Sequence, residues 1–282
     1  MIFKRCSDVD FNMLHEVFST GFSDYVITFV KPSLWEFKER FFGAEGNMLE
    51  SSFIALAEDG KAVGLALGGI REFQGVKTLR CGGMCVIPEY RRQGISRKLL
   101  QLLNEEAVNS NCRQFMLEVI THNHKAVEAY EKFGFNKCYN LYYYTLEDIN
   151  ILNKYDNKNE IKELQMKDLA KVKEIFEPYH LNWQNSFEYS SCCENIKNYG
   201  IYDEHTLIAF LSIRGEKIMQ LWVQENYRNK GVASSLIYKA ALLNNISKVY
   251  LTFSNSSSVY NFVRKNSFSK DGVEQYEMYM PL

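Results

Sequence analysis

One short pattern occurs twice in this chain, and it constrains the fold more than any other feature. Val86-Ile-Pro-Glu-Tyr-Arg-Arg-Gln-Gly94-Ile-Ser96 and Val223-Gln-Glu-Asn-Tyr-Arg-Asn-Lys-Gly231-Val-Ala233 share a valine, a Tyr-Arg pair and a glycine at identical spacing. In both places a strand pattern leads in and helical periodicity leads out. Further on, Leu117-Glu-Val-Ile-Thr-His-Asn123 corresponds loosely to Leu251-Thr-Phe-Ser-Asn255. Two motifs recurring in one order imply a duplicated domain. A chain of 282 residues has room for two domains of ordinary size, each with its own core.

The surrounding periodicities describe each copy. In the first, a strand over 2–5 is followed by Ser7-Asp8 as helix cap, with Phe11, Leu14, Val17 and Phe18 on one face. Pro32 suits the first turn of a second helix carrying Leu34, Trp35, Phe37, Phe41 and Phe42. Strands over 53–57 and 62–66 flank Glu58-Asp59-Gly60-Lys61, a hairpin signal, and a further pair runs past Gly75 to Val86. Strand and helix then alternate to a final strand pair through 142–146. The second copy repeats this order: strand 161–164, helix 167–176, helix 186–199, hairpin 200–213 and strand 217–223. The expected fold is α/β of the α+β type: two tandem domains, each a mixed, mostly antiparallel sheet flanked by helices. The polar stretch 148–159 reads as a linker, giving domains 1–147 and 160–282.

Composition excludes several classes. Basic and acidic residues number 33 and 34, interspersed, so a nucleic-acid partner is not expected. Seven cysteines in irregular positions fit a reducing compartment better than a disulfide framework. No metal-ligand spacing occurs; His122 and His124 merely flank Asn123. The N-terminus lacks the apolar core of a signal peptide, and no membrane-length apolar run occurs, so the cytoplasm is the expected location.

The repeated loop has a definite physical character. A helix beginning near Gly94 places Ile95, Leu99, Leu102, Leu103 and Ala107 on one buried face, leaving its first N–H groups without internal partners. With the helix dipole, and with Arg91, Arg92 and Gln93 alongside, these donors suit a pyrophosphate. Glycine at 94 keeps a Cβ out of the ligand's way. The loop lacks both the GK[ST] ending of a P-loop and the three glycines of a dinucleotide fingerprint, which disfavours ATP, GTP and NAD. A lone copy is compatible with a basic turn that only caps a helix; recurrence argues against that.

These residues resemble the coenzyme A pyrophosphate loop, [Arg/Gln]-x-x-Gly-x-[Gly/Ala], of the GNAT N-acetyltransferase superfamily. The first copy reads Arg91 to Ser96, the second Arg228 to Ala233, with Gly94 and Gly231 at the fixed glycine; only Ser96 departs from the pattern. The stretch from Leu117 through Asn123 and Tyr130 to Phe135 is similar to the family's second acetyl-CoA-contacting segment. The resemblance implies acetyl-CoA as cosubstrate, held by Val86, Arg91, Arg92, Gln93, Gly94, Ile95, Ser96 and Asn123, and in the second copy by Val223, Arg228, Gly231 and Ala233. It also implies that the Val86 backbone meets the pantetheine and acetyl group, and that Tyr130 points at the thioester sulfur.

Acetyl transfer needs a neutral amine, a polarised carbonyl and a stabilised leaving thiolate. Tyr130, protonated at neutral pH, suits the acid. Glu118 is either the base or a solvated strand residue, with Glu72 as second choice. Cys81 and Cys85, read as sharing a strand face, are expected to be core and not a covalent acyl carrier. Phe22, Tyr25, Trp35 and Phe37 either line an acceptor pocket or belong to the core. In the second copy Phe262 stands for Tyr130 and Thr252 for Glu118, so catalysis is expected in the first. The expected activity is acetyl transfer to a primary amine of a small molecule or peptide. The alternatives are a non-catalytic acyl-CoA sensor, or catalysis in the C-terminal copy with Tyr276 or Tyr279 as acid.

Overall fold

The computed structural model describes residues 1–155, 159–164 and 166–282, which divide into two compact units. The first comprises Met1–Cys138 with Gln275–Leu282, the second Tyr139–Glu274.

The first unit opens with β1 (Ile2–Arg5), a 3-10 turn over Cys6–Asp8, and α1 (Phe11–Gly21). Asp10 is the cap, its carboxylate accepting from Asn12 N–H at 2.7 Å, so the expected cap at Ser7-Asp8 falls inside the 3-10 turn instead. Leu14, Val17 and Phe18 are buried as their spacing predicts. Ser33 and Glu36 form a capping box that starts α2 (Leu34–Phe37), which continues as π-helix through Lys38–Ala44. Pro32 therefore precedes the cap and does not occupy the first turn.

Next come β2 (Met48–Leu56), β3 (Ala62–Phe73) and β4 (Val76–Val86), the expected meander, with β1 on the outer edge of β2. Gln74 and Gly75 turn the chain with φ of 49° and 75°, both left-handed, as a two-residue type I′ hairpin requires. β4 carries one extra residue. Leu67 faces Gly83 while Gly68 faces Cys81, leaving Gly82 as a bulge. The bulge reverses the faces beyond it. Cys85 therefore lies on the α1 side, its thiol donating to the Val17 carbonyl at 3.5 Å, and Cys81 on the opposite side, contrary to the shared face expected.

After α3 (Ile95–Asn109), β5 (Gln114–Ile120) pairs in parallel with β4 from Thr78↔Gln114 to Cys81↔Leu117. Beyond that register the two strands part. Leu99 and Leu103 of α3 are fully buried, each contributing about 1.5–3 kcal/mol of apolar burial. Then α4 (His124–Phe133) leads into β6 (Asn136–Leu146), a single long strand where a pair of strands was expected.

Past Cys138, β6 belongs to the second unit. The 3-10 segment Ile149–Tyr155 buries Ile149 and Leu152, where a polar linker was expected over 148–159. Residues 156–158 of that stretch lie outside those described. The unit continues with β7 (Ile161–Glu163), α5 (Met166–Phe176), a 3-10 turn at Trp183–Asn185 and α6 (Phe187–Ser191). β8 (Ile196–Asp203), β9 (Thr206–Arg214), β10 (Lys217–Val223), α7 (Val232–Leu243), β11 (Val249–Ser254) and α8 (Val259–Lys265) follow. The helix expected over 186–199 stops at Ser191 because pairing with β9 claims the residues from Ile196 onward. The sheet order is β6-β11-β10-β9-β8-β7. β10 repeats the bulge, at Met219, the same distance before Val223 as Gly82 is before Val86.

The last strand, β12 (Ser269–Pro281), starts in the second unit and ends in the first, pairing antiparallel with β5 from Gln275↔Ile120 to Pro281↔Gln114. The first unit's order is thus β1-β2-β3-β4-β5-β12. Each unit takes a strand from the other half of the sequence, which replaces the contiguous division at 1–147 and 160–282. Tyr276 and Tyr279, expected as acids for the second copy, face Val119 and Met116 in the first unit. Among the described residues no helix is long and apolar enough to cross a membrane.

Candidate active site

The repeated loop of the first unit runs from β4 through a 3-10 turn at Pro88–Tyr90 to Gly94, the residue before α3. Four of the five N–H donors of Arg91 are engaged within the protein. Its Nε donates to the Val86 carbonyl at 3.0 Å, both terminal nitrogens donate to Asp24 at 2.6 Å, and one also reaches the Gly21 carbonyl at 3.2 Å. Arg91, expected as a phosphate ligand, also clamps the loop to the end of α1, and its hydrogen bonds hold the Asp24 carboxyl below its ordinary range.

What remains open is the start of the helix. Lys98 N–H makes the first bond, to the Gly94 carbonyl at 3.0 Å, so the N–H groups of Ile95, Ser96 and Arg97 have no partner one turn earlier. Ile95 offers only its backbone, since its side chain is core. Arg92 and Gly94 both take left-handed φ, 64° and 79°, and nothing among the described residues lies within 4 Å of where a Gly94 Cβ would stand. Arg92, Gln93 and Ser96 are exposed beside it.

The gap between β4 and β5 adjoins this loop. Ile87 N–H bonds the Val63 carbonyl at 3.0 Å, which makes Gly64↔Val86 a non-hydrogen-bonded pair. The Val86 N–H consequently faces away from β3, toward the parted strands, where Gly82, Gly83 and Met84 are half-buried. Asn123 caps α4, its Oδ1 accepting from Ala126 N–H at 3.3 Å. Its side chain also hydrogen-bonds Tyr25, whose phenol burial pushes upward. Tyr130 is buried, and desolvation, with Cys81 and Tyr25 as titratable neighbours, raises its phenol well above the usual value. Burial lifts the Cys81 thiol to about 11 and Cys85 to about 12, so both stay protonated at neutral pH and neither is poised as a nucleophile.

Glu118 is not a solvated strand residue. It is the first β5 residue past the last pair with β4, its side chain is 3% exposed, and its Oε2 accepts from Arg80 at 2.6 Å. The other end of Arg80 meets Glu45 at 2.8 Å. Burial raises the Glu118 carboxyl above its ordinary range, against the pull of Arg80. Glu72 is exposed and pairs with Lys77 near the hairpin turn.

The four aromatic residues of the expected acceptor pocket separate. Phe37 is fully buried among Phe11, Phe18, Phe41 and Phe42, with centroids 4.8–5.7 Å away, and is core. Phe22 leans on Phe18 at 4.7 Å and serves the same core. Tyr25 alone meets a site residue, Asn123, and Trp35 is 71% exposed.

The second unit reproduces the loop but closes the site. Arg228 Nε bonds the Val223 carbonyl at 2.8 Å, and Asn229 and Gly231 have φ of 59° and 79°. Yet a ring carbon of Tyr155 stands 3.0 Å from where a Gly231 Cβ would be. Ala233 is half-buried against the unit's core. Where β10 and β11 part, Asn185 bridges them: it donates to the Thr252 carbonyl at 2.6 Å and its own carbonyl accepts from Gln220. Tyr130 also has a different counterpart. Phe135 N–H bonds the Tyr130 carbonyl and Phe268 N–H bonds the Val263 carbonyl, so Val263, and not Phe262, takes its place. Thr252 does correspond to Glu118, since Leu117 and Leu251 occupy matching parallel registers. Among the described residues no group of His, Cys, Asp and Glu is arranged to hold a metal ion.

Residues 13–135 match the acetyltransferase (GNAT) family. Thialysine N-epsilon-acetyltransferase of Mus musculus is 45% identical over 49 residues, 17% of this chain and 29% of that protein. N-alpha-acetyltransferase 30 of Schizosaccharomyces pombe is 33% identical over 99 residues, 34% and 65% respectively. The chain thus spans less than two thirds of the length of these curated relatives. A GCN5-related N-acetyltransferase from Sphaerobacter thermophilus superposes with a TM-score of 0.68 at 14% identity, covering 99% of this chain and 95% of the other. A tandem GNAT protein from the clavulanic acid biosynthesis pathway gives 0.69 at 13%, covering 99% and 98%. Residues 13–135 thus carry the match to the GNAT acetyltransferase family, and the whole chain shares the fold of a tandem GNAT protein.

Proposed function

We propose that the chain is an acetyl-CoA-dependent N-acetyltransferase whose chemistry resides in the first unit and whose acceptor is a primary amine of a small molecule or peptide. The observation that carries this reading is the contrast between the two loops: space is open before Gly94, and Tyr155 stands before Gly231. In the first unit the α3 N–H groups, with Arg92, Gln93 and Ser96, hold the pyrophosphate. Val86 N–H faces the acyl end, and Asn123 and Tyr25 flank the approach.

The acceptor arrives as an ammonium ion and gives one proton, through water, to Glu118. Its lone pair attacks the thioester carbon, forming the C–N bond as the C–S bond breaks. Tyr130, with its raised phenol, keeps its proton over the working pH range and donates it toward the departing thiolate, recovering one from the nitrogen. The second unit lacks these groups and binds no cosubstrate.

The experiment is mass-spectrometric detection of acetylated product from acetyl-CoA and a panel of primary amines. Thialysine and lysine, peptide α-amines and polyamines form the panel, the first two classes prompted by the named relatives. Acetyl-CoA binding with no product and no released CoA from any amine would replace this reading with a sensor.

A further inference from the structure

The mechanism above leaves the buried Glu277 unused. Glu277, on β12, is fully buried and lies directly opposite Glu118 in the β5–β12 register. Carboxylates facing each other on adjacent strands oppose one another, and desolvation magnifies the effect. Around the pair stand Arg80 from β4, bonded to Glu118, and Glu45 from the segment before β2, bonded to Arg80. Arg71 of β3 reaches the neighbourhood beside Gly46, and Cys138 flanks Glu277. Arg80 is thus shared between Glu118 and Glu45, while Glu277 faces Glu118 from the adjacent strand.

We infer that Glu277 is a positioning residue for acetyl transfer: its carboxylate, placed across the ladder from Glu118, makes Glu118 able to take the acceptor's proton at neutral pH. Burial raises the Glu118 carboxyl, and Arg80 pulls it back toward the ionised form. A second carboxylate within one strand spacing offsets that pull, so a proton leaving the ammonium forms an O–H bond on Glu118 and relieves the repulsion. The opposed pair lies in the first unit, yet half of it comes from the chain's last strand. This inference rests on Glu118 being the base.

Infrared pH titration of the intact folded protein needs no substrate. The carboxyl band assigned by its loss in Glu118→Gln titrates in the wild type above the ordinary carboxylate range, and in Glu277→Gln it moves down by about one pH unit. Glu277→Asp restores most of the wild-type position. The acidic limb of kcat/KM, measured with thialysine or a peptide α-amine, moves with the band. An unmoved band and limb in folded Glu277→Gln overturn the coupling. An acidic limb that survives in Glu118→Gln instead removes Glu118 as base, a separate failure. Should Glu277→Gln not fold, wild type and Glu277→Asp decide: a coupled pair protonates in two steps, and a single-step band identical in both overturns the inference.

Discussion

Tyr155 stands against Gly231, a ring carbon 3.0 Å from the position a Cβ would take, whereas the equivalent space before Gly94 is open. Both glycines have φ of 79°, so the same substitution meets the same backbone strain in two different surroundings. Gly231→Ala adds a steric contact to the strain and should cost about 1–3 kcal/mol of stability, with kinetics unchanged. Gly94→Asp sets negative charge where the pyrophosphate is proposed to lie and should abolish acetyl-CoA binding. Calorimetry gives the stoichiometry: one site in the wild type and in Gly231→Ala, none in Gly94→Asp.

Tyr130→Phe removes a donor and keeps the ring. Turnover should fall by roughly 10²-fold or more with the KM for acetyl-CoA unchanged, measured at saturating acceptor. A phenol raised in the folded state contributes stability that is complete below its unfolded value, about 10, and is lost as pH climbs through the folded value. Alkaline melting should therefore decline more steeply above that point in the wild type than in Tyr130→Phe. Equal slopes would place the phenol in water.

Asp24→Asn loosens the Arg91 clamp. Both partners are largely exposed, 51% and 40%, so global stability should barely change while the KM for acetyl-CoA rises several-fold. A carboxyl lowered in the folded state gives a contact present above its unfolded value, near 4, and lost as pH falls through the lower folded one. The wild-type KM should stay flat from neutrality to about pH 5, judged against that value. A KM insensitive to Asp24→Asn would show that the loop needs no clamp.

Ending the chain at Glu274 deletes the part of β12 that pairs with β5 and leaves β5 as a bare edge. Acetylation should be lost and proteolysis should begin within the first unit, mapped by mass spectrometry of the fragments. Activity from residues 1–147 alone would refute the dependence.

The features legible in the sequence are those made by neighbours in the chain. The two loops, the Gln74-Gly75 hairpin, the capping by Asn123 and the buried face of α3 all follow from local spacing. Arg91 shows where that reasoning stops: its residue type fits a phosphate ligand, but its partner, Asp24, lies 67 positions away. Phe37 and Trp35 are similar in the sequence, and only packing separates a core ring from an exposed one. The exchange of β6 and β12 left no local signal, because both strands alternate equally well whichever β5 or β11 edge receives them. Glu277 was invisible for the same reason: its significance depends on register with a strand about 160 residues earlier, the kind of non-local pairing that also slows folding.

That exchange also bears on how the chain has persisted. A duplicated domain with a closed site is ordinarily free to decay or be lost by recombination. Here neither half encodes a whole unit, since each supplies a strand that the other requires. Loss of the second copy would take the terminal strand with it and leave the sheet of the first unit unfinished. Under the proposed function, the unit with the closed loop is retained because the terminal strand it leads into completes the sheet of the other.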